Sequence, residues 1–397
     1  MTETNAMPLA GVRVLEFGQI AAGPFAGSLL ADLGADVVKV ERPDGGDGFR
    51  SWPPLTKGPD GEVFSENFAS LNRNKRSIVA DFKDARDLAR LKRLVEVCDV
   101  VVENFRPGVL PRLGLGYEDL SRLNPKLVYC SVSGFGQTGP NSEKGAFDVT
   151  VQGFSGLMSV TGETGGAPVK CGVPVGDFCA GLYAGYTILA RLIQARATGR
   201  GAHIDCSMLG SLIGVAALQT SDFFGTGRAP RALGSAHPRN APYQAFRGSD
   251  DYFVIAAGND RLWTEVAEAT GLLHLTEDPR FKTMVLRAEN QDAMFDLLQP
   301  EFEKQTAAFW LAEMDRRGVP CSPINTYPEV LKGEQVAHMN LVRPLVLPNG
   351  AETLTTAFPI AMTDFDFEIY RSPPPLGGHN DEVAADWLGD TTDGAVT

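Results

Sequence analysis

Apolar positions first arrive in short, mostly apolar runs, from Val12 to Phe17, Asp36 to Glu41, Val100 to Glu103 and Leu127 to Ser133, each bounded by glycine, proline or charge. Runs of this kind read as strands buried on both faces. Between them the spacing turns helical: the segment Pro24 to Leu33 opens with proline, and Leu88, Leu91, Leu94, Val95 and Cys98 fall on one face. Strands alternating with helices predict an α/β fold with a mostly parallel, doubly wound sheet, whose ligands sit beyond the carboxyl ends of the strands. Phe178 to Ala197 reads as a long apolar helix, and Gly199 to Met208 as a turn entering a strand and then another helix.

The pattern changes near Gly225. Gly225 to Pro242 is rich in glycine, proline and arginine and reads as a linker; a strand (Tyr252 to Ala257) and a helix (Arg261 to Thr270) follow, with charged helices near Arg287 to Phe295 and Thr306 to Arg317. Two domains are therefore expected, a large one over residues 1–225 and a smaller α/β one over 226–329 with its linkers. Beyond Pro328 lie strand-like pieces near Leu345 and Leu354, the run Ser372 to Gly378 and a short helix, Asp381 to Leu388.

Composition narrows the function classes. A net charge of -13 disfavours nucleic acid and acidic membranes, which are held by an excess of lysine and arginine. Met1 to Met7 lacks the charged-then-apolar pattern of an export signal, and no apolar run reaches the length of a membrane span. The six cysteines form no C-x-x-C pair and the five histidines are dispersed. A reduced, cytoplasmic protein without a metal or a permanently bound cofactor is expected.

Chemistry is sought at the strand ends. The turn Gly18 to Gly23 follows the first strand, but its glycine spacing does not fit a dinucleotide fingerprint and it lacks the Lys-Ser/Thr of a P-loop. It does offer the small residues Ala21 and Ala22 and a helix N-terminus that favours phosphate. Three basic segments stand where strands should end: Lys39 with Arg42, Arg73 with Lys75 and Arg76, and Arg106 with Arg112. Grouped at one sheet edge, they would neutralise the phosphates of a nucleotide-like ligand. Asp177, in PVGDFCAGLYA, precedes an apolar helix and is placed as its N-cap, where the helix dipole keeps a carboxylate ionised and able to accept an acyl group.

Read in order, PLAGVRVLEFG, LADLGADVVKVERP, NRNKRSI, CDVVVENFRPG, SGFGQTGP, PVGDFCAGLYA, GRGAHIDCSM and PPPLGGHNDE resemble the family III CoA-transferases, the CaiB/BaiF group, over nearly the whole chain. The resemblance implies a Rossmann-like large domain completed by residues 330–397, a small α/β domain and an interlocked homodimer. It implies acyl-CoA and a free carboxylic acid as substrates and Asp177 as the covalent nucleophile. It assigns coenzyme A contacts to Ala21, Ala22, Arg42, Asn72, Arg73, Asn74, Lys75, Asn104, Phe105, Arg112, Lys144, Gly145, Ala146 and Phe147. Backbone N–H groups near Gly176 are expected to hold the developing oxyanions.

Two departures bear on substrate. Formyl-CoA:oxalate members carry a tetraglycine loop where this chain has AHPRNAPY, so His237 and Arg239 become candidates for the distal carboxylate of a C4 to C6 dicarboxylate, with succinyl-CoA as donor. The alternative is an α-methylacyl-CoA racemase-like isomerase. The base of those enzymes falls where this chain has Phe147, which cannot move a proton.

Overall fold

The computed structural model describes residues 7–390. Residues 1–6, most of the stretch read above as lacking an export signal, and 391–397, the tail of the expected C-terminal segment, lie outside the described residues. Two compact units form: one takes the chain up to Leu157, Cys171–Gly225 and everything from Glu334, the other Met158–Lys170 with Thr226–Gly333. Against the expected span of 226–329, the second unit ends at Gly333 and gains one excursion. Met158–Lys170 leaves the first unit because its glycine-rich turn binds residues of the second, the Gly234 N–H donating to the Gly162 carbonyl at 2.8 Å.

In the first unit the strands β1 (Arg13–Phe17) and β2 (Asp36–Glu41) are followed by a hairpin, β3 (Leu55–Lys57) with β4 (Val63–Ser65), and then by β5 (Lys75–Val79), β6 (Val100–Glu103), β7 (Val128–Ser133) and β8 (Ala202–Ser207). Six of them form one parallel sheet in the order β5-β2-β1-β6-β7-β8. Chain direction across the sheet therefore reverses between β1 and β6, the place where doubly wound folds open a crevice.

The four central strands are buried on both faces because each face has its own core, whereas the edge strand β8 alternates buried and exposed residues. Val14, Val37, Val100 and Val102 meet Ala26, Leu30, Ala180, Ala184 and Ile188 on one side. Leu15, Phe17, Val38 and Val101 meet Leu91, Leu94, Val95, Val383 and Trp387 on the other. The first side is covered by α1 (Ala22–Asp32) and, after the short α2 (Asp148–Phe154), by α3 (Val175–Thr198). Close approach of α1 to α3 needs Gly181, whose Cβ would stand 2.7 Å from the Phe25 ring and 3.1 Å from the Ala22 carbonyl. Pro24 is the third residue of α1, within the first turn where its missing N–H costs nothing.

The chain returns to finish this unit. The helix α4 (Asn380–Leu388) lies on the β5 edge, where Arg76 binds Glu382 at 3.2 Å and Asp386 at 2.8 Å, and the Trp387 indole donates to Asp36 at 2.7 Å. The Val79 N–H donates to the Asn380 side chain at 2.9 Å, closing the edge further.

The second unit is a three-stranded antiparallel sheet in the order β11-β10-β9, with β9 at Tyr243–Arg247, β10 at Tyr252–Ala256 and β11 at Cys321–Pro323. Its core joins Phe246 and Phe253 to Trp263, Phe281, Phe302 and Trp310. Arg287, fully buried, donates to the carbonyls of Ala241 and Phe281 and to Asp260. No helix among the described residues is long and apolar enough to cross a membrane.

Candidate active site

A cleft of about 370 Å³ opens at the reversal between β1 and β6. Its walls come from four elements: the turn Gln19–Ala22 after β1, Asn104–Arg106 after β6, Val132–Gly134 at the end of β7, and Ala146 with Phe147 before α2. Asp177, from the first turn of α3, and Met208 complete the lining. A smaller hollow of about 140 Å³ shares Asn104, Phe105, Ala146 and Phe147 and extends to Lys144.

The two turns at the switch point are fastened to each other. The Gln19 N–H donates to the Asn104 side-chain oxygen at 2.8 Å, and the Asn104 amide donates back to the Gln19 carbonyl at 2.8 Å. Gly134 has no room for a side chain, since its Cβ would lie 2.1 Å from that of Ala146. Glu103, at the end of β6, accepts the Phe105 N–H at 2.8 Å, and burial pushes its carboxyl up to about 7.

Asp177 is not the helix cap. Pro174 occupies that position and Asp177 is the third residue of α3. The expectation that the helix dipole holds this carboxyl in its ordinary acidic range is also corrected: burial, and then the charge of Asp148, push Asp177 up to about 7. Asp148 begins α2 and is itself fixed, accepting the Gly176 N–H at 2.8 Å and a bond from the Gln152 amide. Because the Gly176 N–H is taken, it is not a free oxyanion donor as expected from the sequence. By contrast, the first turn of α1, which lines the cleft at Ala21 and Ala22, has no side-chain cap.

Of the expected coenzyme A contacts, the structure brings Ala21, Ala22, Asn104, Phe105, Ala146 and Phe147 to the cleft and Lys144 to its extension. Gly145 lies between Lys144 and Ala146, packed so that a Cβ would come 2.9 Å from the Arg106 guanidinium. Arg42 and Arg112 are exposed and outside the lining. The segment Asn72 to Lys75 is corrected, because its side chains face the core. Arg73 pairs with Asp32 at 2.6 Å, Asn74 donates to Asp32 at 3.1 Å, and Lys75 binds Glu16 at 2.7 Å and Asn72 at 3.1 Å. Lys39, grouped above with the phosphate-binding cations, is fully buried between Glu16 at 2.9 Å and Asp47 at 2.8 Å.

His237 and Arg239 belong to the second unit, before β9, with the Arg239 N–H donating to the His237 ring at 3.2 Å. Sequence reasoning missed Gln19, Ile20, Ser133 and Gly134 as cleft residues and Asp148 as the neighbour of Asp177. The signal available for Asp148 was its place in GAFD, one residue after the position where a racemase needs its base.

Comparisons with known proteins converge. The family model described as CoA-transferase family III matches residues 9–380. The succinate–glutarate CoA-transferase of Agrobacterium fabrum is 40% identical over 96% of this chain and 95% of its own length. The human succinyl-CoA:glutarate CoA-transferase is 38% identical over 97% of this chain and 87% of its own. A crystal structure of a CAIB/BAIF family protein from Brucella suis superposes with a TM-score of 0.84 at 38% identity, covering 96% of this chain and 99% of that one.

Proposed function

Since this chain belongs to CoA-transferase family III, we propose that it carries coenzyme A from succinyl-CoA to a C4 to C6 dicarboxylate, glutarate first among them, through covalent intermediates on Asp177. That it transfers coenzyme A follows from the family; the acids and the residue roles are our reading. The observation that carries the reading is the buried carboxyl of Asp177, raised to about 7, lining a cleft at the switch point together with an uncapped helix N-terminus.

The chemistry closes without a co-reactant. The ionised Asp177 attacks the succinyl thioester, giving a mixed anhydride and the CoA thiolate. The thiolate attacks the aspartyl carbonyl, releasing succinate and leaving coenzyme A on Asp177 as a thioester. Glutarate then displaces the thiolate through a second anhydride, and the thiolate takes the glutaryl group, restoring the carboxylate. Each step keeps an activated acyl bond, which requires that water be excluded. A carboxylate titrating near 7 is more basic than an ordinary one yet still substantially ionised at neutral pH, a workable compromise for a nucleophile.

In this reading the pantetheine arm passes Ala21, Ala22, Asn104 and Phe105, while Arg42, Arg112 and Lys144, all exposed, meet the phosphates of the nucleotide end. Arg239 and His237 receive the distal carboxylate of the acid. A homodimer is part of the proposal, supported by apolar side chains left exposed on the helices Met208–Val215 and Ala217–Thr226, Phe224 among them at 81%. Six cysteines, all free, suit the reducing cytoplasm.

The test is direct. Purified protein incubated with succinyl-CoA alone is expected to gain the mass of coenzyme A, and Asp177→Ala to gain nothing. With glutarate present, glutaryl-CoA should form, while oxalate in the same panel should be poor. An adduct that persists in Asp177→Ala would refute the nucleophile assignment, and no exchange with any dicarboxylate would refute the substrate assignment. A racemase-like reaction would instead bring solvent deuterium to the α-carbon of a chiral acyl-CoA.

A further inference from the structure

Ile20, in the wall of the cleft, holds a φ of 66°, a left-handed backbone that β-branched residues rarely adopt. Outliers of this sort persist only where the surroundings over-determine them, and they gather at functional sites. Here the surroundings are specific. The Ile20 N–H donates to the Asp47 carboxylate, 3.0 Å from one oxygen and 3.2 Å from the other. Asp47 is 2.8 Å from the Lys39 ammonium, with both side chains fully buried. Lys39 also donates to the Gly18 carbonyl at 2.6 Å, so a single buried ion pair grips the turn on both sides of Gln19. With Gln19 clamped by Asn104, the backbone groups of Gly18, Gln19 and Ile20 are held by side chains from three other segments.

Asp47 has no place in the chemistry described above and does not line the cleft. Burial works against its charge, but Lys39 and the N–H groups of Ile20 and Phe49 keep its carboxyl below its ordinary range. It thus stays a full anion, the stronger acceptor.

We propose that Asp47 is a positioning residue for the transfer reaction: by holding the Ile20 N–H it fixes the turn Gly18–Ala22 in the one conformation that presents Ile20 and the start of α1 to the thioester beside Asp177. This rests on the reading that acyl-CoA occupies that cleft. A glycine at the same position would take the left-handed backbone unaided, and the proposal is testable on that ground.

The experiment is a double-mutant cycle read as kcat/KM for succinyl-CoA with glutarate as acceptor. Asp47→Ala is expected to lose about tenfold or more, since small misplacements of a binding wall carry penalties of that order. Ile20→Gly has its own loss, from the missing wall. In the Ile20→Gly background, however, Asp47→Ala should cost no more than about threefold, because glycine no longer needs the restraint. Equal losses in the two backgrounds would overturn the proposal, since a purely structural role for Asp47 is indifferent to residue 20. Circular dichroism melting reports whether each variant is folded at the assay temperature. Should Asp47→Ala prove unfolded, Asp47→Leu, which keeps the volume and removes both acceptor oxygens, enters the same cycle with the same criterion. Failure of the wild type to form the Asp177 adduct would sink the functional premise and this proposal with it; an active wild type with non-interacting substitutions refutes the positioning role alone.

Discussion

Replacing Asp148 by asparagine isolates the electrostatics of Asp177. The Asp148 carboxylate is the neighbouring charge that, after burial, raises Asp177 to about 7. Asparagine keeps an oxygen for the Gly176 N–H, which is 2.8 Å from Asp148 Oδ1, so the backbone at the start of α3 has no reason to move. With a midpoint near 7, about one carboxyl in eleven is ionised at pH 6 and about ten in eleven at pH 8, and kcat/KM for succinyl-CoA should rise about tenfold across that interval. Without the like charge the midpoint should fall by about one pH unit, a usual size for removing a neighbouring carboxylate. The variant would then be about half ionised at pH 6 and gain only about twofold by pH 8. The assay is initial-rate formation of glutaryl-CoA, separated from succinyl-CoA by chromatography, between pH 5.5 and 9. Glu103 also titrates near 7 beside the cleft, so the difference between variant and wild type, and not the wild-type curve alone, carries the assignment. A variant whose midpoint coincides with that of the wild type would refute the reasoning.

Asp177→Asn should also be more stable than the wild type at pH 8. The folded carboxyl has its pKa raised, so between about 4 and 7 the folded state holds more protons than the unfolded one and the wild type loses stability as pH rises. The advantage, expected at about 2 °C or more in Tm at pH 8 and absent below pH 4, is read by calorimetry; a lower Tm at pH 8 would contradict it. Gly134→Val should push away Ala146, whose Cβ already lies 2.1 Å from where a Cβ on Gly134 would stand, raising KM for succinyl-CoA by about tenfold or more while the urea midpoint changes little. Glu16→Gln leaves Lys39 and Lys75, now 2.9 and 2.7 Å from its carboxylate, with too little negative charge in a site closed to water. Breaking such a buried network typically removes about 3–5 kcal/mol, measurable by urea unfolding, and an unchanged midpoint would show that the lysines are already neutral.

The central strands β1, β2, β6 and β7 were legible because they are covered on both sides and mostly apolar, and the long helix at Val175–Thr198 because its apolar run is long. The edge strand β5 was missed because it opens on Lys75, Arg76 and Ser77. The β3–β4 hairpin was missed, its strands being three residues each and half exposed. Asp177 stood out through its motif, whereas its ionisation state did not, because burial, the larger cause, and the charge of Asp148, 29 positions away, both arise only in the fold. The inward turn of Lys75 was likewise invisible in NRNKRSI, since its partner Glu16 lies 59 residues earlier. One hint went unused: Glu16 in VLEF and Lys39 in VVKVE are charges inside otherwise buried strands, and opposite charges in adjacent central strands pair with each other before they meet any ligand.

The closure of the β5 edge by α4 has a consequence for biosynthesis. A ribosome delivers β1, β2 and β5 early, but Asn380, Glu382, Asp386 and Trp387, which seal that edge, follow their partners by 301 residues or more. Until then the nascent sheet keeps an open margin and an unburied Arg76, while the aromatic core around Phe302 can already condense. Synthesis of this polypeptide thus passes through a half-finished Rossmann layer whose margin waits on residues more than 300 positions downstream.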